Sequence, residues 1–105
     1  MLGTPTRDQI HSMNKFYMNT EWNFPFIQDH DWSKIFSSKR TSPVAIDLIS
    51  QLVRYEPTRR IDPLHALAHQ FFDDLRDPSK TLPDGKPFPA GLLDFSENEI
   101  AHCSP

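Results

Sequence analysis

Cysteine is almost missing from this chain: Cys103 is the only one among 105 residues. A single thiol excludes an intramolecular disulfide and a thiolate zinc cluster. It lies in the polar tail Ala-His-Cys-Ser-Pro, where an inert side chain is expected. Glycine is scarce as well, with three against ten prolines. That balance predicts short helices separated by rigid irregular segments. No apolar run approaches the roughly 18 residues needed to span a bilayer. The first thirty residues lack the apolar core of a signal peptide, so the expected location is cytoplasmic or nuclear. Charge of one sign is not in excess either. A formal net charge of −3 gives no general attraction to nucleic acid or anionic membrane, and neither is expected as a partner. Lys39-Arg40 and Arg59-Arg60 are the only basic doublets, read as structural or solvated pairs.

What the chain does have is aromatic residues: eight Phe, two Trp and two Tyr, in a composition 37% apolar and 24% charged. This is not the composition of a disordered segment. The length allows one domain with a modest core.

Five stretches organise the chain. Thr6 with Gln9 fits a capping box, and Thr4 followed by Pro5 offers an alternative start, so a short surface helix is expected within residues 4–14 with Ile10 and Met13 on its apolar edge. Residues 15–36 show no sustained helical period. They crowd Phe16, Tyr17, Trp22, Phe24, Phe26, Ile27, Trp32, Ile35 and Phe36 together, interrupted by Pro25. This reads as a long loop held by aromatic anchors, able to order only against a larger body or a partner, with one helical turn at 31–36. Ser42-Pro43 is a strong helix start, followed by Ala45, Leu48, Ile49, Leu52 and Val53 at helical spacing. That helix is expected to be largely enclosed and to end near Tyr55, before Pro57. Asp62-Pro63 repeats the signal, and Leu64, Leu67, Ala68, Phe71, Phe72 and Leu75 predict a second helix running to Asp77-Pro78, beside the first in space. Residues 79–105 form a turn-rich tail. Asp84-Gly85 is a turn in a plain loop, Leu92, Leu93 and Phe95 are a possible docking patch, and Ser96 to Glu99 start a last turn.

The segments LGTPTRDQI, NFPFI, DWSKIF, YEPTRRIDPLHALAHQFFDDLRDP and LPDGKPFP occur in the order seen in glycogen synthase kinase-3, the shaggy-like kinases. Over roughly residues 2–100 the chain resembles that serine/threonine kinase family. The Leu-Gly-Thr-Pro opening is shared with cyclin-dependent and MAP kinases; Asp-Leu-Arg-Asp-Pro followed by Leu-Pro-Asp-Gly is much narrower. The resemblance implies an all-α fold: part of a protein-kinase large lobe over 1–78, as three or four short helices with long irregular loops, and a Pro-rich extension over 79–105 packing on it.

The family transfers phosphate from ATP with magnesium, using a Gly-rich loop, a strand lysine, a His-Arg-Asp loop and an Asp-Phe-Gly motif. None of these is present, nor is Ala-Pro-Glu. The parent family is enzymatic, but this chain alone is expected to be inactive and to hold no cofactor. Its implied roles are lobe stability, with the remainder of the kinase domain as partner, and docking of an axin-type protein scaffold. The alternative is a non-catalytic decoy or adaptor that binds through the aromatic loop 16–36.

The resemblance also assigns residues. Arg60 matches the arginine that pairs with the glutamate of Ala-Pro-Glu. That glutamate is not in this sequence, and burying the unpaired guanidinium would cost on the order of 3–5 kcal/mol. Arg60 is therefore expected to be exposed or re-paired, with Glu56 and Asp62 as local candidates. His69, in His-x-Phe-Phe, is implied to be a packing and hydrogen-bonding residue. Tyr17, Glu21, Trp22 and Phe24 match the scaffold-docking loop by role, with Trp for Phe at 22, Asn for Lys at 23, and two extra residues at Met18 and Asn19. The plainer reading is that these rings only pin the loop.

Other constellations carry little chemistry. His65 and His69 have the i,i+4 spacing of a zinc pair, but Ala66 stands where a zinc protease carries Glu and no third ligand is indicated. Adjacent Asp73 and Asp74 point in different directions and suit a solvated face. Ser12, Ser50 and Cys103 have no base at a telling distance in sequence. No catalytic or metal-binding residue is assigned.

Overall fold

The computed structural model describes residues 1–17, 23–37 and 40–102. Among them the fold is all-α, with no strand. Six short α-helices are present: α1 (Arg7–Met13), α2 (Trp32–Ile35), α3 (Pro43–Leu52), α4 (Pro63–Ala68), α5 (Asp73–Arg76) and α6 (Glu97–Ala101). Three 3-10 turns accompany them, at Lys15–Tyr17, Pro57–Arg59 and Gln70–Phe72. The helices outnumber the expected three or four because caps and prolines divide the apolar runs more finely than their periodicity suggests. The chain forms two compact units, Met1–Ile61 and Asp62–Pro105.

In the first unit, α1 starts where its capping box places it. Thr6 Oγ1 accepts the Gln9 N–H at 3.2 Å, and Gln9 Oε1 accepts the Thr6 N–H at 2.8 Å. α2 is one turn, capped by Asp31, whose carboxylate accepts the Ser33 N–H at 3.1 Å. Trp32 and Phe36 stack across it, ring centres 6.2 Å apart.

α3 begins at the predicted cap, Ser42 Oγ accepting the Ala45 N–H at 3.2 Å. It stops at Leu52, earlier than Pro57 requires. The returning corner takes the carbonyls that would otherwise extend it. Arg54 Nε donates to Ser50 O at 3.1 Å, and the Ile61 N–H donates to Gln51 O at 3.1 Å. The expected enclosure of α3 does not occur. Leu48 is buried, but Leu52 and Val53 are exposed; the main element against this helix is the single turn of α2.

In the second unit, the expected continuous helix from Pro63 to Asp77 is broken at His69, which has extended backbone (φ −62°, ψ 148°). His69 Nδ1 accepts the Phe71 N–H at 3.1 Å and restarts the chain as a 3-10 turn. Arg76 reaches back to the carbonyls of Leu67 and His69 and pairs with Asp73. The carbonyls freed at the break are thus satisfied by a guanidinium rather than by a continued helix. Further on, Gly85 (φ +81°) closes a turn, its N–H donating to Leu82 O at 2.8 Å. α6 repeats the capping box with Ser96 and Glu99.

Burial is sparse. Leu48 in the first unit and Ala66 in the second are the buried apolar residues among those described. No helix among the described residues is long and apolar enough to cross a membrane.

Candidate functional site

Glycine at position 3 lets two extended segments of the first unit meet. Gly3 has φ +74°, and a β-carbon there would lie 2.6 Å from Asp29 N and 2.8 Å from Ile27 O. The close approach aligns residues 1–4 against 27–30. The Thr4 N–H donates to Ile27 O at 2.8 Å, and the His30 N–H donates to Met1 O at 3.1 Å. Tyr55, just beyond α3, fixes the same segment from another side, its hydroxyl donating to Gly3 O at 2.6 Å.

These segments and α1 enclose a groove of about 780 Å³. Met1, Leu2, Pro5, Ile10, Met13, Phe24, Pro25 and Ile27 line it, with Thr4, Asn14 and Tyr55 as its polar side chains. Among the described residues, no acidic or basic side chain is in the lining. The volume falls within the roughly 300–1,000 Å³ of typical ligand pockets. Its chemistry is that of an apolar docking surface: Met1, Met13, Phe24 and Ile27 are all exposed.

The expected aromatic anchoring is corrected at Phe16 and Phe26; Trp32 and Phe36 are half-buried, and Trp22 and the Tyr17 side chain lie outside the described residues. Phe16 is 83% and Phe26 85% exposed, so neither ring pins anything. Hydrogen bonds to the 1–4 segment hold residues 25–30 instead, because a chain this short has too little apolar body to receive so many rings.

Of the docking residues expected from the sequence, Phe24 lines the groove. Tyr17 closes the 3-10 turn after α1. Its side chain, Glu21 and Trp22 lie outside the described residues. Arg60 is exposed, and it donates to Arg54 O at 2.7 Å. Of the local candidates, Glu56 takes Arg59 at 3.5 Å, and Asp62 caps α4 and meets His65 Nδ1 at 2.5 Å. His69 serves the helix break. In the proposed tail patch, Leu92 and Leu93 are exposed and Phe95 is half-buried.

Sequence reasoning missed most of the groove: Met1, Leu2, Thr4, Tyr55 and the role of Gly3. The one local signal was a glycine directly before Thr-Pro, which marks a close backbone approach only once the opposing segment is known.

The perturbed carboxylates do not point to chemistry. Asp31, Asp77 and Glu99 are held below the usual carboxylate range. Hydrogen bonds from Ser33, Ser79 and Ser96, respectively, are the cause, and all three acids sit at turns or caps. Among the described residues no group of three or more His, Cys, Asp or Glu could hold a metal ion. No protein-family model matches the chain.

Proposed function

We propose that this chain is the C-terminal part of the large lobe of a glycogen synthase kinase-3-like serine/threonine kinase, acting in protein docking and not in phosphoryl transfer. The observation that carries this reading is the apolar groove bordered by Phe24, a residue the resemblance assigns to scaffold docking. The order of family segments supports the lobe, and the missing lysine, His-Arg-Asp and Asp-Phe-Gly motifs remove catalysis from the chain. Sparse burial agrees with a piece that covers its apolar surface with further protein: the remainder of a kinase domain, a scaffold, or both. Cytosol and nucleus are the compartments in which such a piece would act.

The occupant that suits the groove is an amphipathic helix presenting an uncharged apolar stripe, as an axin-type scaffold segment would. Titration of the full chain with such a peptide should give saturable binding. Phe24→Ala should weaken it by about 1–2 kcal/mol, or about 5- to 30-fold, the cost of truncating a contributing interface aromatic. An unsaturable titration would refute the docking reading. Transfer of labelled phosphate from ATP by the pure chain would refute the non-catalytic one.

A further inference from the structure

The Thr4 hydroxyl is engaged twice by the opposite wall of the groove. Oγ1 donates to Pro25 O at 2.7 Å and accepts the Ile27 N–H at 2.6 Å. The Thr4 backbone adds a third bond, its N–H donating to Ile27 O. Pro25 has no N–H of its own, and the Phe26 ring of this wall is turned to solvent. One hydroxyl thus bonds this wall at two places, Pro25 and Ile27. We propose that Thr4 is the positioning residue of the groove: its hydroxyl holds the 23–27 wall in the place that an uncharged apolar helix would dock against. This rests on the docking reading above. Thr4 does not itself supply the apolar contact; it acts through Pro25 and Ile27.

The test compares Thr4→Val, which keeps the branched shape and removes both hydroxyl bonds, with Thr4→Ser, which keeps the hydroxyl. Two readouts are taken on the full chain: hydrogen exchange of the Ile27 amide and titration with an axin-type amphipathic peptide. Thr4→Val should lose Ile27 protection and about 5- to 30-fold in peptide affinity, the equivalent of one or two net hydrogen bonds. The Leu48 amide in α3 should stay protected. Thr4→Ser should keep both readouts within about twofold of the unaltered chain. Equal losses in Thr4→Ser, or retained binding in Thr4→Val, would overturn the proposal. If Thr4→Val also loses protection at Leu48, the unaltered chain decides. There, Ile27 should exchange through local opening, faster than Leu48, and slow when peptide is added. Exchange of both amides at one common rate would overturn the proposal. Should the unaltered chain bind no peptide while Thr4→Val still releases the Ile27 amide, the docking reading falls and the clamp stands.

Discussion

A single methyl group at Gly3 should separate the two segments that build the groove. In Gly3→Ala the added carbon would meet Asp29 N at 2.6 Å and Ile27 O at 2.8 Å. Both are backbone atoms, so relief requires the 27–30 segment to move as a whole. The left-handed backbone at φ +74° costs an L-residue roughly 1–2 kcal/mol. Separation also breaks the Thr4–Ile27 and His30–Met1 bonds, each worth about 0.5–1.5 kcal/mol net. The local loss is therefore about 2–5 kcal/mol. Gly85 provides the control. Its φ is +81°, but a β-carbon there meets nothing within 4 Å. Gly85→Ala should cost only the backbone term, about 1–2 kcal/mol. Amide hydrogen exchange on the full chain reads both. Gly3→Ala should speed exchange at Thr4, Ile27 and His30 by at least about 30-fold. Gly85→Ala should speed the Leu82 amide by about 5- to 30-fold and leave the first unit untouched. Unchanged protection at Thr4 and His30 in Gly3→Ala, or equal local losses in the two variants, would refute the steric reasoning.

Two other predictions concern the second unit. Arg76→Met should loosen the break after α4, because the Leu67 and His69 carbonyls lose their donor. With the Arg76 side chain 31% exposed, water replaces part of the loss, leaving about 1–2 kcal/mol, readable as faster exchange of the Phe72 amide. Arg76→Lys should recover less than half of it, since an ammonium lacks the planar fork that spans three acceptors; full recovery would contradict this. The pH response of α6 should follow Glu99, whose carboxyl is held below its ordinary value of 4.5 by hydrogen bonds from the Ser96 backbone and hydroxyl. Since the folded value lies below the unfolded one, the stabilisation is full above 4.5 and is lost as pH falls through the folded value. Exchange of the Ile100 amide should rise across that window, and Glu99→Gln should flatten the response; an unchanged acid response in that variant would rule out this cap as the cause.

Local signals were legible where one residue type does one local job. Thr6–Gln9, Ser42-Pro43, Asp62-Pro63 and Ser96–Glu99 each placed a helix start correctly, because a cap bonds only to amides two or three residues away. Helix ends were read less well. The stop of α3 at Leu52 depends on Arg54 and Ile61, and the break at His69 depends on Arg76 seven residues on. Periodicity carries no record of such donors. Phe24 could be singled out by resemblance, but the exposure of Phe16 and Phe26 could not, since apolar composition does not state how much surface is available to cover it.

The sequence by itself therefore determined an all-α chain of short capped segments without the motifs for phosphoryl transfer. Those properties are set by residue types and contacts within one helical turn. The groove was decided by tertiary structure alone. It exists because residues 1–4 meet residues 27–30 at a glycine too close to its neighbours for any side chain, with Thr4 and Tyr55 bonding across 21 to 52 residues of sequence. Contacts at that range depend on where the backbone has already been brought, which no local pattern encodes.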